Sequence, residues 1–251
     1  MKLTGNTILI TGGSSGIGRE LSRQLCERNN TVIICARSQD KLLDAQRQLP
    51  SLTIFPCDLS DPAQCEKLVK WMQHSYPTLN MVINGAAVVH QGNFLEMADS
   101  LEKAEREIQT NFMAPVRLIK RLFPLLQAND RSAIINITTG LIYSPRADYP
   151  FYNATKAALH SFTQVLREQT KGSTVSIIET MFPAVDTPWH RGHPPTMAIS
   201  PEKAVTEMLA GLEKGLPEIR VARVKLLYAL SRLAPRFAFR KVNSLKRNAP
   251  D

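Results

Sequence analysis

Thr7-Ile8-Leu9-Ile10-Thr11-Gly12-Gly13-Ser14-Ser15-Gly16-Ile17-Gly18 is the stretch on which the fold turns. Its opening residues are apolar or β-branched, the pattern of a strand buried on both faces of a parallel sheet. The glycine-rich turn follows at once, and Glu20-Leu21-Ser22-Arg23-Gln24-Leu25-Cys26 then carries a helical period. A strand, a glycine turn and a helix together form a cradle for phosphate. The glycines permit a tight turn and close backbone approach, and the helix N-terminus attracts the anion. Gly-Ser clusters are also ordinary turns, so it is the flanking strand and helix that give this one its meaning.

Working outward, the next strand pattern, Thr31-Val32-Ile33-Ile34-Cys35, ends at Ala36-Arg37-Ser38. In a dinucleotide fold an acidic residue here would hold the adenine ribose 2′-hydroxyl. Ala36 cannot, whereas the charged fork of Arg37 suits a 2′-phosphate, which favours NADP(H) over NAD(H). The plainer alternative is a solvated loop arginine. A helix pattern from Lys41 to Leu49 leads to strand Leu52-Thr53-Ile54-Phe55, ending at Cys57-Asp58-Leu59, and a further helix runs from about Pro62 to His74. Strand Met81-Val82-Ile83 ends in Asn84-Gly85-Ala86-Ala87, and one long helical stretch from Leu101 to Leu126 contains Asn111. Strand Ala133–Ile137 ends in Thr138-Thr139-Gly140, and strand Val175–Glu179 leads to Phe182-Pro183-Ala184-Val185-Asp186-Thr187. This alternation predicts an α/β single-domain Rossmann fold, a doubly wound parallel sheet of about seven strands with helices on both faces. Ligands then lie beyond the carboxyl ends of the strands, where these polar residues fall.

Between the last two strands lies Tyr152-Asn153-Ala154-Thr155-Lys156, opening a helix that runs to about Lys171. Four residues apart on a helix means one face, so the phenol and the ammonium can share a cleft. A nearby cation favours phenolate, so Lys156 should lower the Tyr152 pKa toward the range of a working proton donor. By itself the pair is no more than many surface helices carry. Its position beyond the sheet gives it weight.

The 251 residues, 43% hydrophobic and 21% charged, fit one soluble globular domain, 1–251. Met1 leads straight into the first strand, and no apolar run approaches transmembrane length, so a cytoplasmic protein is expected. Cys26, Cys35, Cys57 and Cys65 show no metal spacing and read as reduced core residues. The net charge of +9 is local: from Ile219 onward nine Lys/Arg face only Asp251, leaving the rest nearly neutral. No nucleic-acid partner is implied. In the basic extension, 225–251, Leu226, Leu227, Leu230, Leu233, Ala234 and Phe237 recur at helical spacing, with Arg232, Arg236 and Arg240 four apart. Such a helix can lie on an anionic membrane. Because Pro235 interrupts the pattern, packing against the domain or a second subunit is the preferred expectation. The Pro-rich segment 188–200 reads as a lid over a substrate site. His190 and His193 within it lack a carboxylate partner, so no metal is expected. Ser200-Pro201 then caps a helix to about Glu213.

Taken together, TGGSSGIG at 11–18, Asp58, Asn84-Gly85-Ala86-Ala87, Asn111, Thr139, YNATK at 152–156 and PAVDT at 183–187 resemble the short-chain dehydrogenase/reductase family along essentially the whole chain. The segments VIICARS, YPFYNATKAALHSF and LLYALSRLAP are most similar to its DltE-type bacterial subgroup. The resemblance implies Tyr152 as catalytic acid and base, with Lys156 holding the nicotinamide ribose. It implies Thr139 positioning the substrate oxygen and Asn111 anchoring a water of the proton relay. It further implies cofactor contacts from Gly12, Ser14, Ser15, Gly16, Ile17, Gly18, Arg37, Asp58, Leu59, Asn84, Pro183, Val185 and Thr187. The expected activity is an NADP(H)-dependent interconversion of a small carbonyl and alcohol, in a homodimer or homotetramer. A cofactor-binding regulatory protein with little turnover is the alternative. Three departures stand out: Thr139 replaces the family serine and adds a methyl that restricts its rotamers, Gly85 and Ala87 alter the Asn-Asn-Ala-Gly signature, and Ala184 replaces a glycine.

Overall fold

The opening strand is β1, Thr7–Thr11, in the computed structural model, which describes residues 1–190 and 192–244. Arg191 of the expected lid and residues 245–251 of the expected basic extension lie outside the described residues. After β1 come α1 (Gly16–Cys26), β2 (Thr31–Ala36), α2 (Gln39–Gln48), β3 (Thr53–Pro56), α3 (Pro62–Ser75) and β4 (Leu79–Asn84). Next are α4 (Ser100–Ile108), α5 (Ala114–Gln127), β5 (Ser132–Thr139), α6 (Pro150–Gln169) and β6 (Val175–Phe182). The described chain closes with α7 (Pro201–Glu213), β7 (Glu218–Arg220), α8 (Val224–Leu233) and α9 (Pro235–Ser244).

All strand pairs are parallel, in the order β3-β2-β1-β4-β5-β6-β7, so the winding reverses between β1 and β4. Successive strand residues feed opposite layers, as a period of two requires. Ile8, Ile10, Val32, Ile34 and Ile83 meet Leu21, Leu25, Met208 and Leu212 on one face. Leu9, Ile33, Cys35 and Val82 meet Leu68, Met72, Leu118 and Leu122 on the other. Truncating a side chain such as Leu9 to alanine should cost about 2–5 kcal/mol. The hydrophobic pattern places six of these strands. β7 escapes it because three residues with one buried side chain, Ile219, carry no period.

The single helix expected from Leu101 to Leu126 is instead two, α4 and α5, joined by a π-turn over Gln109–Met113. Pro115 explains the break. An α-helix would need an N–H at position 115 to bond the Asn111 carbonyl, and proline has none. At the other end, Pro235 divides the basic segment into α8 and α9. Their apolar side chains pack on the domain only in part: Val224, Ala238 and Val242 are buried and Leu227 lies against Gly140, while Leu226 and Leu233 are 68% and 86% exposed. No helix among the described residues is long and apolar enough to cross a membrane.

Candidate active site

The glycine turn sits in the crevice opened by the sheet reversal. Gly12 has φ +74°, and a Cβ there would lie 2.8 Å from the Ala86 Cα; one on Gly18 would lie 2.2 Å from the Gly12 carbonyl oxygen. Gly16, at φ +52°, faces the Thr187 side chain. These positions admit no side chain. Ser15 begins α1 without a side-chain cap, and no acidic residue stands in the first turn. A bare helix N-terminus against a glycine turn fits a pyrophosphate in donor set and in shape. Thr11, which the sequence reading passed over, braces the opposite wall: its Oγ1 accepts the N–H groups of Gly85 (3.0 Å) and Ala86 (3.1 Å). Gly85, where the family has asparagine, is itself confined, since a Cβ would lie 3.0 Å from the Thr11 carbonyl oxygen.

At the adenosine side, Arg37 is exposed just beyond β2, and Ser38 accepts the Lys41 N–H as the cap of α2. Asp58 accepts from the Ser60 hydroxyl at 2.7 Å and from Arg106 at 3.2 Å. Burial pushes its carboxyl up, but the two Ser60 donors, Arg106 and Arg37 together hold it below the usual carboxylate range. Leu59 is buried beside it. Asn84 is buried at the end of β4; its amide nitrogen donates to Asn136 at 2.8 Å, while its Oδ1 has no hydrogen-bond partner among the described residues. Pro183, Val185 and Thr187 follow β6, where a bridge between Val185 and Ile199 pins both ends of the expected lid.

Thr139 ends β5, and the Tyr152 and Lys156 side chains come from the adjoining face of α6. The Thr139 side chain favours the ionised form of the Tyr152 phenol. The lysine stands differently from the sequence expectation. Its Nζ donates to the Ile137 carbonyl at 2.7 Å and lies 5.9 Å from the Tyr152 ring centroid. Burial, reinforced by Tyr149 and Glu107, drives the phenol above its ordinary range, and only Thr139 opposes it. The expected lowering by Lys156 is therefore not found. Burial acts on the lysine too, taking it down to about 8 against the pull of Glu179. Asn111, fully buried in the π-turn, accepts the Val88 N–H (2.8 Å) and donates to the Val88 carbonyl (2.8 Å) and the Thr155 hydroxyl (3.2 Å). Its amide is spent on the protein.

Several groups around this cluster escaped the sequence reading. Glu107, one helical turn before Asn111, is buried, and its Oε1 accepts the His90 N–H at 2.6 Å and meets His90 Nδ1 at 3.1 Å. Burial raises its carboxyl to about 7, while burial, Lys103 and Arg106 lower the His90 imidazole. Glu179, buried on β6, accepts from the Thr138 hydroxyl at 2.5 Å and meets His160 Nδ1 at 2.8 Å. His160 continues the i, i+4 row of Tyr152 and Lys156, the one signal available in the sequence. Trp189 of the expected lid lies over Tyr149 and Tyr152, with ring centroids 5.7 and 6.2 Å apart.

Residues 6–197 match the family model described as short chain dehydrogenase. The chain is 40% identical over 249 residues to the protein called uncharacterized oxidoreductase DltE of Bacillus subtilis (strain 168), covering 97% of this chain and 99% of that one. Its fold is shared by a short chain dehydrogenase from Burkholderia cenocepacia J2315 solved in complex with NADP, with TM-score 0.85, 23% identity and full coverage of both chains. A short chain dehydrogenase/reductase from Burkholderia phymatum in complex with NAD gives TM-score 0.83 at 16% identity, again over the whole of both chains.

Proposed function

The chain belongs to the short-chain dehydrogenase family of NAD(P)-dependent oxidoreductases, and from that premise we propose that it interconverts a carbonyl and an alcohol with NADP(H), Tyr152 serving as general acid and base. The observation that carries this reading is the convergence at the carboxyl end of β5, where Thr139 ends the strand and the buried Lys156, bonded to the Ile137 carbonyl, stands 5.9 Å from the Tyr152 ring.

Bound NADPH supplies a hydride for the carbonyl carbon. Around it, the turn from Gly12 through Ser14, Ser15, Gly16, Ile17 and Gly18 holds the pyrophosphate by backbone donors. Asp58 and Leu59 bound the adenine, Arg37 takes the 2′-phosphate, and Pro183, Val185 and Thr187 border the nicotinamide. Asn84 borders the cofactor at the end of β4, its amide nitrogen held by Asn136 and its Oδ1 without a partner among the described residues. In the reducing direction Tyr152 gives its proton to the substrate oxygen. Thr139 holds that oxygen and steadies the phenolate left behind. Lys156, with a pKa near 8, carries its charge at neutral pH and holds the ribose of the cofactor. Proton return needs a water near Asn111. Since its amide is engaged, the group suited to anchor that water is the Asn111 backbone carbonyl, which Pro115 deprives of its α-helical donor.

The test is a carbonyl and alcohol panel run with NADPH and NADH on the parent and on Tyr152→Phe. The variant should lose roughly 10²–10⁴-fold in kcat and keep its cofactor affinity. A parental rate in Tyr152→Phe would remove the mechanism. Cofactor binding without turnover across the whole panel would favour a regulatory protein instead.

A further inference from the structure

The C-terminal hairpin presents an amphipathic surface that the other described residues leave uncovered. Leu226, Ala229 and Leu233 fall at i, i+3 and i+7, one stripe of α8, and all three are exposed. On α9, Phe237 and Phe239 are 53% and 47% exposed, and Phe239 lines an open cleft with Pro235, Arg236 and Arg240. Arg232 and Lys241 are exposed on the same two helices. Between Val224 and Ser244 there are five Lys/Arg and no Asp or Glu. Among the described residues, only Lys225 of those five is in a salt bridge, with Glu207.

We propose that the α8–α9 hairpin seats this enzyme on the surface of an anionic lipid bilayer, with its leucines and phenylalanines entering the interface and its arginines meeting the headgroups. Two ten-residue helices with a charged and an apolar aspect suit lying in the interfacial plane and not crossing it. Each basic residue near such a surface adds attraction to anionic lipid. A second copy docked by this face is disfavoured on charge. Twofold pairing would set one acid-free basic hairpin against another. The hairpin also touches the candidate active site's frame. Asn243 of α9 accepts the Ala147 N–H at 2.7 Å and donates to the Pro145 carbonyl at 3.1 Å, in the loop that leads into α6 and Tyr152. Tyr228 of α8 packs on Tyr143 with ring centroids 5.0 Å apart. Docking there would bring the loop that leads into α6 toward the membrane.

The test is flotation of the full chain with phosphatidylcholine vesicles and with vesicles containing phosphatidylglycerol, at low and high salt. The parent should float with the anionic vesicles only and be released as salt rises. Arg236→Glu with Arg240→Glu should weaken binding on the order of tenfold or more, and Leu233→Ser with Phe237→Ser should abolish it. These side chains are solvent-exposed, so far-UV circular dichroism and NADPH affinity should stay unchanged and certify the variants as folded. Failure to float, or flotation that the substitutions leave intact, overturns the proposal. A parent that stays off the vesicles but sediments as a dimer, dissociated by Leu233→Ser, assigns the face to a second copy and overturns it equally. NADPH binding in every arm keeps this outcome separate from the fate of the catalytic reading.

Discussion

Lys156 Nζ donates to the Ile137 carbonyl at 2.7 Å, so an ammonium group stands almost fully buried with one backbone oxygen as its hydrogen-bonded partner. Among the described residues no carboxylate touches it. Glu179 acts on it only through space, and its own oxygens are taken by Thr138 and His160. A cation under-compensated in this way is costly to the fold and suited to holding a polar cofactor group.

Replacing Lys156 by methionine should therefore stabilise the protein while ending turnover. The folded pKa of about 8 lies below the ordinary 10.5, so the unfolded chain binds the proton more tightly. The penalty is full below pH 8 and fades as pH rises toward the unfolded value. Lys156→Met should gain roughly 3 kcal/mol at pH 7 and little near pH 10. Urea unfolding at the two pH values checks it. A variant less stable than the parent at pH 7 would show that the lysine is not a burdened group.

Glu107 offers the opposite charge and a similar stability sign. Its folded pKa of about 7 lies above the ordinary 4.5, so its favourable contribution is complete below the unfolded value and lost as pH rises through 7. Glu107→Gln should match the parent near pH 5 and exceed it at pH 8 by on the order of 3 kcal/mol. Because Glu107 also holds the Tyr152 phenol up, the alkaline limb of the pH–rate profile should move to lower pH. Identical melting curves at pH 8 would mean that Glu107 does not carry a buried charge.

Thr139 separates shape from chemistry. Thr139→Ser keeps the hydroxyl that favours ionised Tyr152 and the acceptor for the Leu141 N–H, at 3.3 Å in the parent. It should stay active. Thr139→Val keeps the volume and deletes both functions, so kcat should fall roughly 10²–10³-fold. Equal kcat in the valine variant and the parent would place Thr139 outside the chemistry.

The fold was legible because its strands are buried on both faces and because glycines that admit no Cβ must be written as glycine. Tyr152 and Lys156 were legible by their i, i+4 spacing. What the sequence could not show was the balance of environments. Whether Lys156 lowers the phenol or burial raises it depends on how deep both lie, which four-residue spacing does not encode. Glu107 and Glu179 sit in patterns that read as surface helix and strand residues, and only the tertiary fold takes them out of water. The π-turn at Asn111 had a signal in Pro115, whose missing N–H forbids the continuous helix that its apolar period suggests. The hairpin's amphipathic period was legible, but which of its apolar side chains stay uncovered was not.

Cofactor choice should rest on Arg37. It stands exposed one residue beyond β2 and makes no ion pair among the described residues, while the neighbouring Asp58 is already engaged by Ser60 and Arg106. Its fork is thus available to a 2′-phosphate, and Ala36 offers no carboxylate to repel one or to accept from a ribose hydroxyl. A charge-assisted contact contributes about 1.5–3 kcal/mol, or roughly 10- to 150-fold in affinity. Arg37→Ala should weaken NADPH by about that factor, leave NADH unchanged, and flatten the salt dependence of NADPH binding. Adding Ala36→Asp should then reverse the preference by supplying a ribose acceptor. Fluorescence titration of both cofactors against the three proteins decides it. Equal losses for NADH and NADPH in Arg37→Ala would make the residue a brace of the loop and not the reader of the phosphate.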